Sequence, residues 1–256
     1  MIALTREVSP ALVSCELTHL PRVSIDIDAA RRQHRAYEQA LTAAGCTLEP
    51  IAAAPDLPDS VFVEDIAIAF PELAIVTRPG AESRRAETPA VAAVLGRHRT
   101  LHVIEPPGTL DGGDVLVAGR SVYIGRSSRT NAHAITQVGR ILGPHGYAVC
   151  EVAVSGCLHL KSAVTCVDRD VLLVNPAWVS TTAFAGAELV EIDPEEPMAA
   201  NALRIGGIVV YPAAFPRTAD RLSRRGLTVL PVDVSELAKA EGAVTCCSII
   251  LVGSVG

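Results

Sequence analysis

Apolar runs typical of β-strands recur along the chain, and each series of runs follows a polar residue. The pattern opens with that polar residue, continues as a small-residue or apolar strand, and ends in a turn after a second apolar run. It occurs at residues 63–80, 111–125, 159–176 and 201–212, with a shorter copy at 245–253. The polar residues that head the copies are 46, 48, 42 and 45 residues apart: Asp65, Asp111, His159, Asn201 and Cys246. Spacings of this size predict units that are stacked or arranged around an axis.

The head residues differ in chemistry although the scaffold repeats. They carry two carboxylates, an imidazole, an amide and a thiol. If equivalent strands begin at equivalent points of a ring, their heads approach one another near its axis. A repeated scaffold does not need this variety, whereas a catalytic site does, so the pattern indicates an active site at the heads.

Helical segments separate the strand pairs. Apolar periodicity and capping residues predict helices over Ile27–Ala44, Glu82–Leu95, Thr130–Leu142, Ala219–Arg225 and Ser235–Ala240. Further strands are predicted at Thr100–Ile104, Ala148–Val152 and Thr228–Val232. The unit of strand, strand, helix and strand predicts the α/β class. No linker interrupts the series, so we expect one domain over residues 1–256.

Charge and cysteine content narrow the classes of partner. The net charge of −6 argues against nucleic acid or a membrane surface as partner and fits weakly with a cationic small substrate. The seven cysteines form no tight framework, so we expect reduced, mostly buried thiols and a cytoplasmic protein. No stretch approaches the roughly 18 uncharged apolar residues that would predict a membrane span.

Cys246 and His159 are the candidates for nucleophilic and acid–base chemistry. Cys246 lies in EGAVTCCSIILVG at a predicted strand start, where only one of Cys246 and Cys247 can face a shared site. Two small core residues are the alternative, since thiols are often buried. His159, in GCLHLKSAV, could equally be a structural hydrogen-bonding residue, and its spacing fits no zinc pattern. The matching phase of the two residues in the repeat favours a thiolate and imidazole pair.

Acidic and basic residues near the other heads suggest how a cation with a carboxylate would be held. Asp111 and Asp114, in DGGD, are also ordinary turn residues. Asp65, Glu64 and Asp59, in PDSVFVED, could be a solvated strand end, but an Asp at a buried strand end needs a partner such as a guanidinium.

Two arginines occupy equivalent positions before predicted helices. Arg84 lies in GAESRRAE and Arg129 in RSSRTNA. They could be exposed residues at helix starts, or a pair of anchors for a substrate carboxylate.

The assembled motifs resemble the dimethylarginine dimethylaminohydrolases of the guanidino-group-modifying superfamily. The resemblance spans nearly the whole chain through PDSVFVEDIAI, AIVTRPGAESRRAE, TLDGGDVLVAGRSVYIGRSSRTNA, LHLKS and SELAKAEGAVTCCSI. It implies a five-bladed α/β propeller with pseudo-fivefold symmetry, built from ββαβ-type repeats. It also implies hydrolysis of Nω-methylated arginine to citrulline and a methylamine, with a small-molecule substrate and neither cofactor nor metal.

The resemblance assigns a role to each matching residue. Cys246 corresponds to the nucleophile, His159 to the general acid/base and Asp111 to the carboxylate that orients His159. Asp65 and Glu64 correspond to the residues that bind the guanidinium, and Arg84 and Arg129 to those that bind the α-carboxylate. Asp59 corresponds to a contact with the amino-acid end of the substrate, Leu17 to a lid residue and Ala240 to a backbone contact beside the nucleophile. One position departs from the family pattern, because Glu241 stands where many members carry Asp.

Two alternatives remain from the sequence. An arginine deiminase or amidinotransferase would share the fold, but such chains are usually longer and carry an HxD-type motif that HLKS lacks. A binding protein of this fold, such as the ribosome anti-association factor of translation initiation, would not need a Cys–His–Asp set at the repeat heads.

Overall fold

Three-stranded sheets form the blades of a propeller. The computed structural model describes residues 1–253, and within them the strands form five such sheets. The strands are β1 (Ile2–Arg6), β2 (Thr47–Ile51), β3 (Ala67–Ala69), β4 (Leu73–Val76), β5 (Thr100–Val103), β6 (Val115–Ala118), β7 (Ser121–Arg126), β8 (Ala148–Ala153), β9 (Val164–Asp168), β10 (Val171–Val174), β11 (Glu188–Glu191), β12 (Leu203–Ile205), β13 (Ile208–Pro212), β14 (Thr228–Val232) and β15 (Ile249–Leu251). The predicted five-bladed α/β propeller is confirmed.

Every blade has the same pairing scheme. The second strand runs antiparallel to the first and parallel to the third, as in β6–β7–β8. The order β15–β1–β2 closes the ring, because β15 from the end of the chain pairs with β1 from its beginning. The first blade therefore joins both ends of the chain.

Two-residue turns join the first and second strands of three blades. The turns are Gly119-Arg120, Arg169-Asp170 and Gly206-Gly207. Gly119, Asp170 and Gly206 have φ near +59°, +59° and +58°, as the turns of tight hairpins require. These turn residues explain why each apolar pair of runs folds as a hairpin.

Helices connect the second strand to the third in four of the five blades. They are α1 (Ile27–Ala43), α2 (Thr88–Leu95), α3 (Ala132–Leu142) and α5 (Pro216–Arg224), while the short α4 (Leu160–Ala163) and α6 (Ser235–Ala238) lie elsewhere. In the fourth blade a 3₁₀ turn at Thr181–Phe184 takes the helix position. The ββαβ unit thus holds in the other four blades, and the fourth blade has a shortened connection.

The predicted helix over Glu82–Leu95 is regular only from Thr88. Residues Glu82–Glu87 form 3₁₀ turns. Pro89 stands at the start of α2, and proline cannot continue a regular helix through the preceding turn because it lacks an N–H and its ring clashes there. Arg84 lies within these tighter turns and is buried.

Short helical turns precede the first strand of three blades and present the head residues. Val63–Ile66 contains Asp65, Gly112–Asp114 follows Asp111, and α4 follows His159. The apolar cores lie between neighbouring blades, so the turns are fixed from both sides. Within residues 1–253, no helix has the length and apolar character needed to cross a membrane. All seven cysteines, which lie in this described range, are free thiols.

Candidate active site

Three of the head residues line one cavity: Asp65, His159 and Cys246. Four other predicted site residues line the same cavity: Asp59, Arg84, Arg129 and Ala240. The remaining three predicted residues lie around it, with Asp111 behind the imidazole, Glu64 beside Cys246 and Leu17 in the covering segment. The fold therefore assembles a thiol, an imidazole, carboxylates and guanidinium groups that are far apart in the sequence.

Cys246 lies in a turn, and the expectation that it begins a strand is wrong. The N–H of Cys246 donates to the carbonyl of Ala243 (3.2 Å), and the N–H of Ala243 donates to Sγ of Cys246 (3.4 Å). These contacts close the turn before β15. Cys246 lines the cavity, whereas Cys247 is fully buried in the core. The N–H of Glu64 donates to the carbonyl of Cys246 (3.1 Å) and so joins the thiol to the acidic turn.

His159 lies between two carboxylates. Its Nε2 is 3.1 Å from Oδ2 of Asp111, and its Nδ1 is 3.8 Å from Oδ1 of Asp65. Asp111 is itself held by the N–H of Gly80 (2.8 Å). Burial alone would lower the pKa of His159, but the negative charge of Asp65 and the hydrogen bond to Asp111 raise it to about 9. The imidazole is therefore protonated at neutral pH.

Two hydrogen-bond donors hold the carboxylate of Asp65 in the cavity. Arg84 donates to it from Nη1 (2.6 Å), and the N–H of Gly113 donates to its other oxygen (3.0 Å). Burial would raise the pKa of Asp65, but the charges of His159 and Arg84 lower it to about 2. A carboxylate that stays charged in a small cavity can bind a cation there.

Arg84 is buried and engaged in several contacts. Besides Asp65, it contacts both oxygens of Glu87 (3.1 and 2.9 Å) and the carbonyls of Asp59 and Phe62. Arg129 is less constrained, with Nη1 4.0 Å from Asp111 and Nη2 3.1 Å from Oγ1 of Thr18. The two arginines line one cavity, as their equivalent positions suggested, but Arg84 makes more contacts with the protein than Arg129 does.

Glu64 adjoins Cys246 through its backbone but does not line this cavity. Its carboxylate accepts hydrogen bonds from Nζ of Lys161 (2.5 Å) and Oγ1 of Thr245 (2.7 Å). Burial raises the pKa of Glu64, and Lys161 opposes that shift. Glu64 and Lys161 line a second cavity. Neither residue lines the cavity of Cys246 and His159.

A segment near the N-terminus covers the cavity. Asp59 accepts the N–H of Glu16 (3.1 Å), and Ser83 donates to the side chain of Glu16 (2.7 Å). Leu17 is half-buried against the adjacent core. We call residues 16–20 the covering segment.

Several cavity residues were not predicted. Glu16, Phe62, Leu158, Glu241 and Gly242 line the cavity without a role in the sequence analysis. Glu241 and Gly242 adjoin Ala240, so proximity to a predicted residue was the available signal. Phe62 was hidden in the apolar run of VFVED, where it looks like any core residue.

One triplet has the spacing of a metal site. Asp65, Asp111 and His159 each offer a ligand atom, and these atoms lie within 4.8 Å of one another. Both ring nitrogens of His159 already face carboxylates, Nε2 toward Asp111 and Nδ1 toward Asp65. The triplet is better described as a charge-compensated acid–base group.

Comparison with known proteins places the chain in a family. The arginine deiminase family profile matches residues 34–199. The N(G),N(G)-dimethylarginine dimethylaminohydrolase of Streptomyces coelicolor is 40% identical over 250 residues, which cover 97% of this chain and 96% of that protein. The chain belongs to the dimethylarginine dimethylaminohydrolase family. It is an enzyme of the hydrolase class.

Two solved structures of the family match along nearly the whole length. A variant of the Pseudomonas aeruginosa enzyme with cysteine replaced by serine, in complex with citrulline, has a TM-score of 0.92 at 35% identity and covers 96% of this chain and 97% of its own. A histidine-to-glycine variant of a dimethylarginine dimethylaminohydrolase, as an adduct with S-methyl-L-thiocitrulline, has a TM-score of 0.91 at 36% identity and covers 96% and 98%.

Proposed function

We propose that this member of the family hydrolyses asymmetric dimethylarginine and monomethylarginine to citrulline and the corresponding methylamine. The observation that carries the proposal is the single cavity lined by Cys246, His159 and Asp65 together with Arg129. The citrulline complex of the Pseudomonas aeruginosa relative supports it from a second direction.

The charges of the cavity match the two ends of a methylated arginine. Asp65, ionised with a pKa of about 2, holds the guanidinium, and Glu64 contributes negative charge beside Cys246. Arg129 is the principal anchor of the α-carboxylate, while Asp59 receives the α-amino group. Leu17 closes over the substrate, and Ala240 offers a backbone contact beside the nucleophile.

Arg84 has a double role in this proposal. Its contacts with Asp65, Glu87 and two backbone carbonyls use four of its five N–H groups within residues 1–253, which leaves one Nη1 hydrogen for the α-carboxylate. Its larger contribution is to hold Asp65 in place, because a bidentate guanidinium fixes the orientation of its carboxylate partners.

The first half of the reaction forms a covalent intermediate. The bound guanidinium favours loss of the Cys246 proton to solvent, and the thiolate attacks the guanidinium carbon. The protonated His159 donates its proton to the departing amine as the carbon–nitrogen bond breaks. Cys246 is left as an S-alkylthiouronium, and His159 is left neutral.

The second half uses the same imidazole as a base. Neutral His159 takes a proton from water, which attacks the same carbon, and the carbon–sulfur bond breaks as citrulline forms. The hydroxyl proton left on that carbon passes to the departing thiolate, so the thiol and the imidazolium are restored. Each step uses only side chains and one water, and acid–base help of this kind contributes roughly 10²–10⁴ in rate.

An arginine deiminase activity is the second candidate, favoured by the profile that matches residues 34–199. Incubation with asymmetric dimethylarginine and, separately, with arginine distinguishes the two activities by the citrulline formed from each. We expect citrulline from the methylated substrate and little from arginine. Citrulline from arginine alone would replace the proposal with the second candidate.

The matched control is the pair of adjacent cysteines. Cys246→Ser should abolish turnover, whereas Cys247→Ser should leave substantial activity, because Cys247 lies in the core and not in the cavity. An essential Cys247 with a dispensable Cys246 would contradict the assigned nucleophile.

A further inference from the structure

Glu241 connects the turn before the nucleophile to the covering segment. Its carboxylate accepts three consecutive backbone N–H groups, from Thr18 (2.9 Å), His19 (2.5 Å) and Leu20 (2.7 Å). One side chain thus fixes the backbone of the covering segment from the opposite end of the chain. Glu241 also lines the cavity itself.

The backbone at Glu241 is in a conformation that does not suit a side chain. Its φ is +58°, in the left-handed region that non-glycine residues rarely occupy. The next residue must be glycine, because a Cβ on Gly242 would lie 2.2 Å from the ring of Phe62. Glycine would fit position 241 with less strain, so the carboxylate is the feature that the strained position supplies.

The other polar contacts of the covering segment involve groups that the substrate needs or that lie at the surface. Arg129 contacts Thr18, and Asp59 contacts the N–H of Glu16. The proposed function assigns Arg129 and Asp59 to the α-carboxylate and the amino group of the substrate, so these two contacts depend on how the substrate binds. Within residues 1–253, the polar contacts of the segment that do not involve a substrate-binding residue are the exposed Ser83–Glu16 hydrogen bond and the hydrogen bonds to Glu241.

Apolar burial cannot replace these contacts. Thr18 and His19 are exposed, and Leu17 and Leu20 are only half-buried. A segment with few buried contacts opens readily unless its backbone N–H groups are held.

We propose that Glu241 is a positioning residue for the amino-acid end of the substrate. By holding residues 18–20 closed, it keeps Thr18 against Arg129 and so orients the guanidinium that binds the α-carboxylate. This inference rests on the proposed function, because it assigns Arg129 to the α-carboxylate.

Hydrogen exchange tests the proposal without any substrate. In Glu241→Ala, peptides covering residues 16–20 should exchange about tenfold faster or more, as expected when charged hydrogen-bond acceptors of a weakly buried segment are lost. Alanine keeps the strained backbone, so the change reports the carboxylate. The control is Glu236→Ala, which removes a carboxylate that accepts the N–H of Asp26 (2.9 Å) outside the segment and should leave exchange at 16–20 unchanged.

Glu241→Gln provides a second, nearly isosteric variant. The glutamine carbonyl can replace Oε1, which serves His19 and Leu20, but its NH₂ group cannot accept from Thr18. Exchange should therefore rise at Thr18 more than at Leu20. This pattern would distinguish loss of a specific contact from general loosening of the chain.

Kinetics with two substrates separates positioning from a general structural effect. For Glu241→Ala, KM for asymmetric dimethylarginine should rise about tenfold, with a smaller fall in kcat. KM for an analogue without the α-carboxylate should change less than about twofold, because such an analogue has no carboxylate for Arg129 to bind. Equal losses on both substrates, or unchanged exchange at residues 16–20, would overturn the proposal.

The two readouts keep this inference separate from the proposed function. If the parent protein does not hydrolyse methylarginine, the proposed function fails, and with it the assignment of Arg129, whatever the exchange data show. If the parent is active but Glu241→Ala matches it in exchange and in KM, only the role of Glu241 fails.

Discussion

The thiol of Cys246 has surroundings that suppress its reactivity until a cation arrives. Burial, together with the negative charges of Glu64 and Asp65, raises the pKa of Cys246 to about 12. The free thiol is then neutral at pH 7, and the same carboxylates that suppress it attract a guanidinium. The substrate would thus supply the positive charge that makes its own nucleophile.

Alkylation of the free protein tests this dependence on cations. At neutral pH, the cationic reagent chloroacetamidine should modify Cys246 at least about tenfold faster than neutral iodoacetamide does, because only the cation lowers the pKa of the thiol. With iodoacetamide, the rate at Cys246 should keep rising with pH toward 12. Mass spectrometry of modified peptides gives both rates, and the exposed thiol of Cys150 is the internal reference. A similar preference at both thiols would contradict the argument.

The two arginines of the cavity should respond differently to removal. Arg129→Ala should raise KM for methylarginine roughly ten- to a hundredfold, since it removes a charge-assisted bond worth about 1.5–3 kcal/mol. Arg84→Ala should in addition destabilise the fold by about 3–5 kcal/mol, because it leaves the buried carboxylates of Asp65 and Glu87 uncompensated. Steady-state kinetics and denaturant unfolding of both variants give the comparison. A large loss of stability in Arg129→Ala with none in Arg84→Ala would reverse the assignment.

At the scale of elements, the turn Gly112–Asp114 places the acid–base group. A Cβ on Gly113 would lie 2.5 Å from Nδ1 of His159 and 2.8 Å from Oδ1 of Asp65. A Cβ on Gly112 would lie 2.0 Å from the carbonyl oxygen of Glu64. The two glycines therefore allow three head turns to approach one another.

Gly113→Ala should lower kcat by about a hundredfold or more, because displacing a catalytic group by about 1 Å has an effect of that size. The control is Gly139→Ala in α3, where a Cβ meets nothing within 4 Å. That change should stabilise the protein by about 0.5–1 kcal/mol, the usual gain from alanine in a helix interior. Turnover and thermal unfolding of both variants check the prediction. Full activity in Gly113→Ala would show that His159 does not need its present position.

The elements show what the sequence could and could not predict. The repeat of apolar runs predicted the strand pairs within the units, because hairpins are local. The turn at Cys246 escaped prediction, since it depends on the contact between Ala243 and Sγ. The engagement of Arg84 by Asp65 and Glu87 escaped as well, because a pair that forms across the fold leaves no mark in a repeat.

At the scale of the molecule, the ring has no inherent beginning. The ends of the chain meet in the first blade, where Ile2 pairs with Leu251 and Leu4 with Ile249. The same antiparallel pairing is made by covalent hairpins elsewhere, as in β12–β13. The gap between the two ends therefore takes the place of the two-residue turn that joins the first and second strands in three other blades. That the whole chain is one domain remains a prediction.

A circular permutant tests the equivalence of the blades and the unity of the domain. The two ends of the chain are joined by a short Gly/Ser linker, which suffices because paired antiparallel residues lie about 5 Å apart. New ends are opened between the exposed Gly206 and Gly207, so that β12 and β13 take over the pairing that β15 and β1 make now. We expect a single cooperative unfolding transition and turnover within about tenfold of the parent, because the pairings and the cavity are retained. The control permutant is opened between Val209 and Val210, which are buried in the second strand of that blade, and it should not fold. An unfolded Gly206/Gly207 permutant would show that closure by β15 and β1 is not equivalent to the other hairpins, and two separate transitions would argue against one domain.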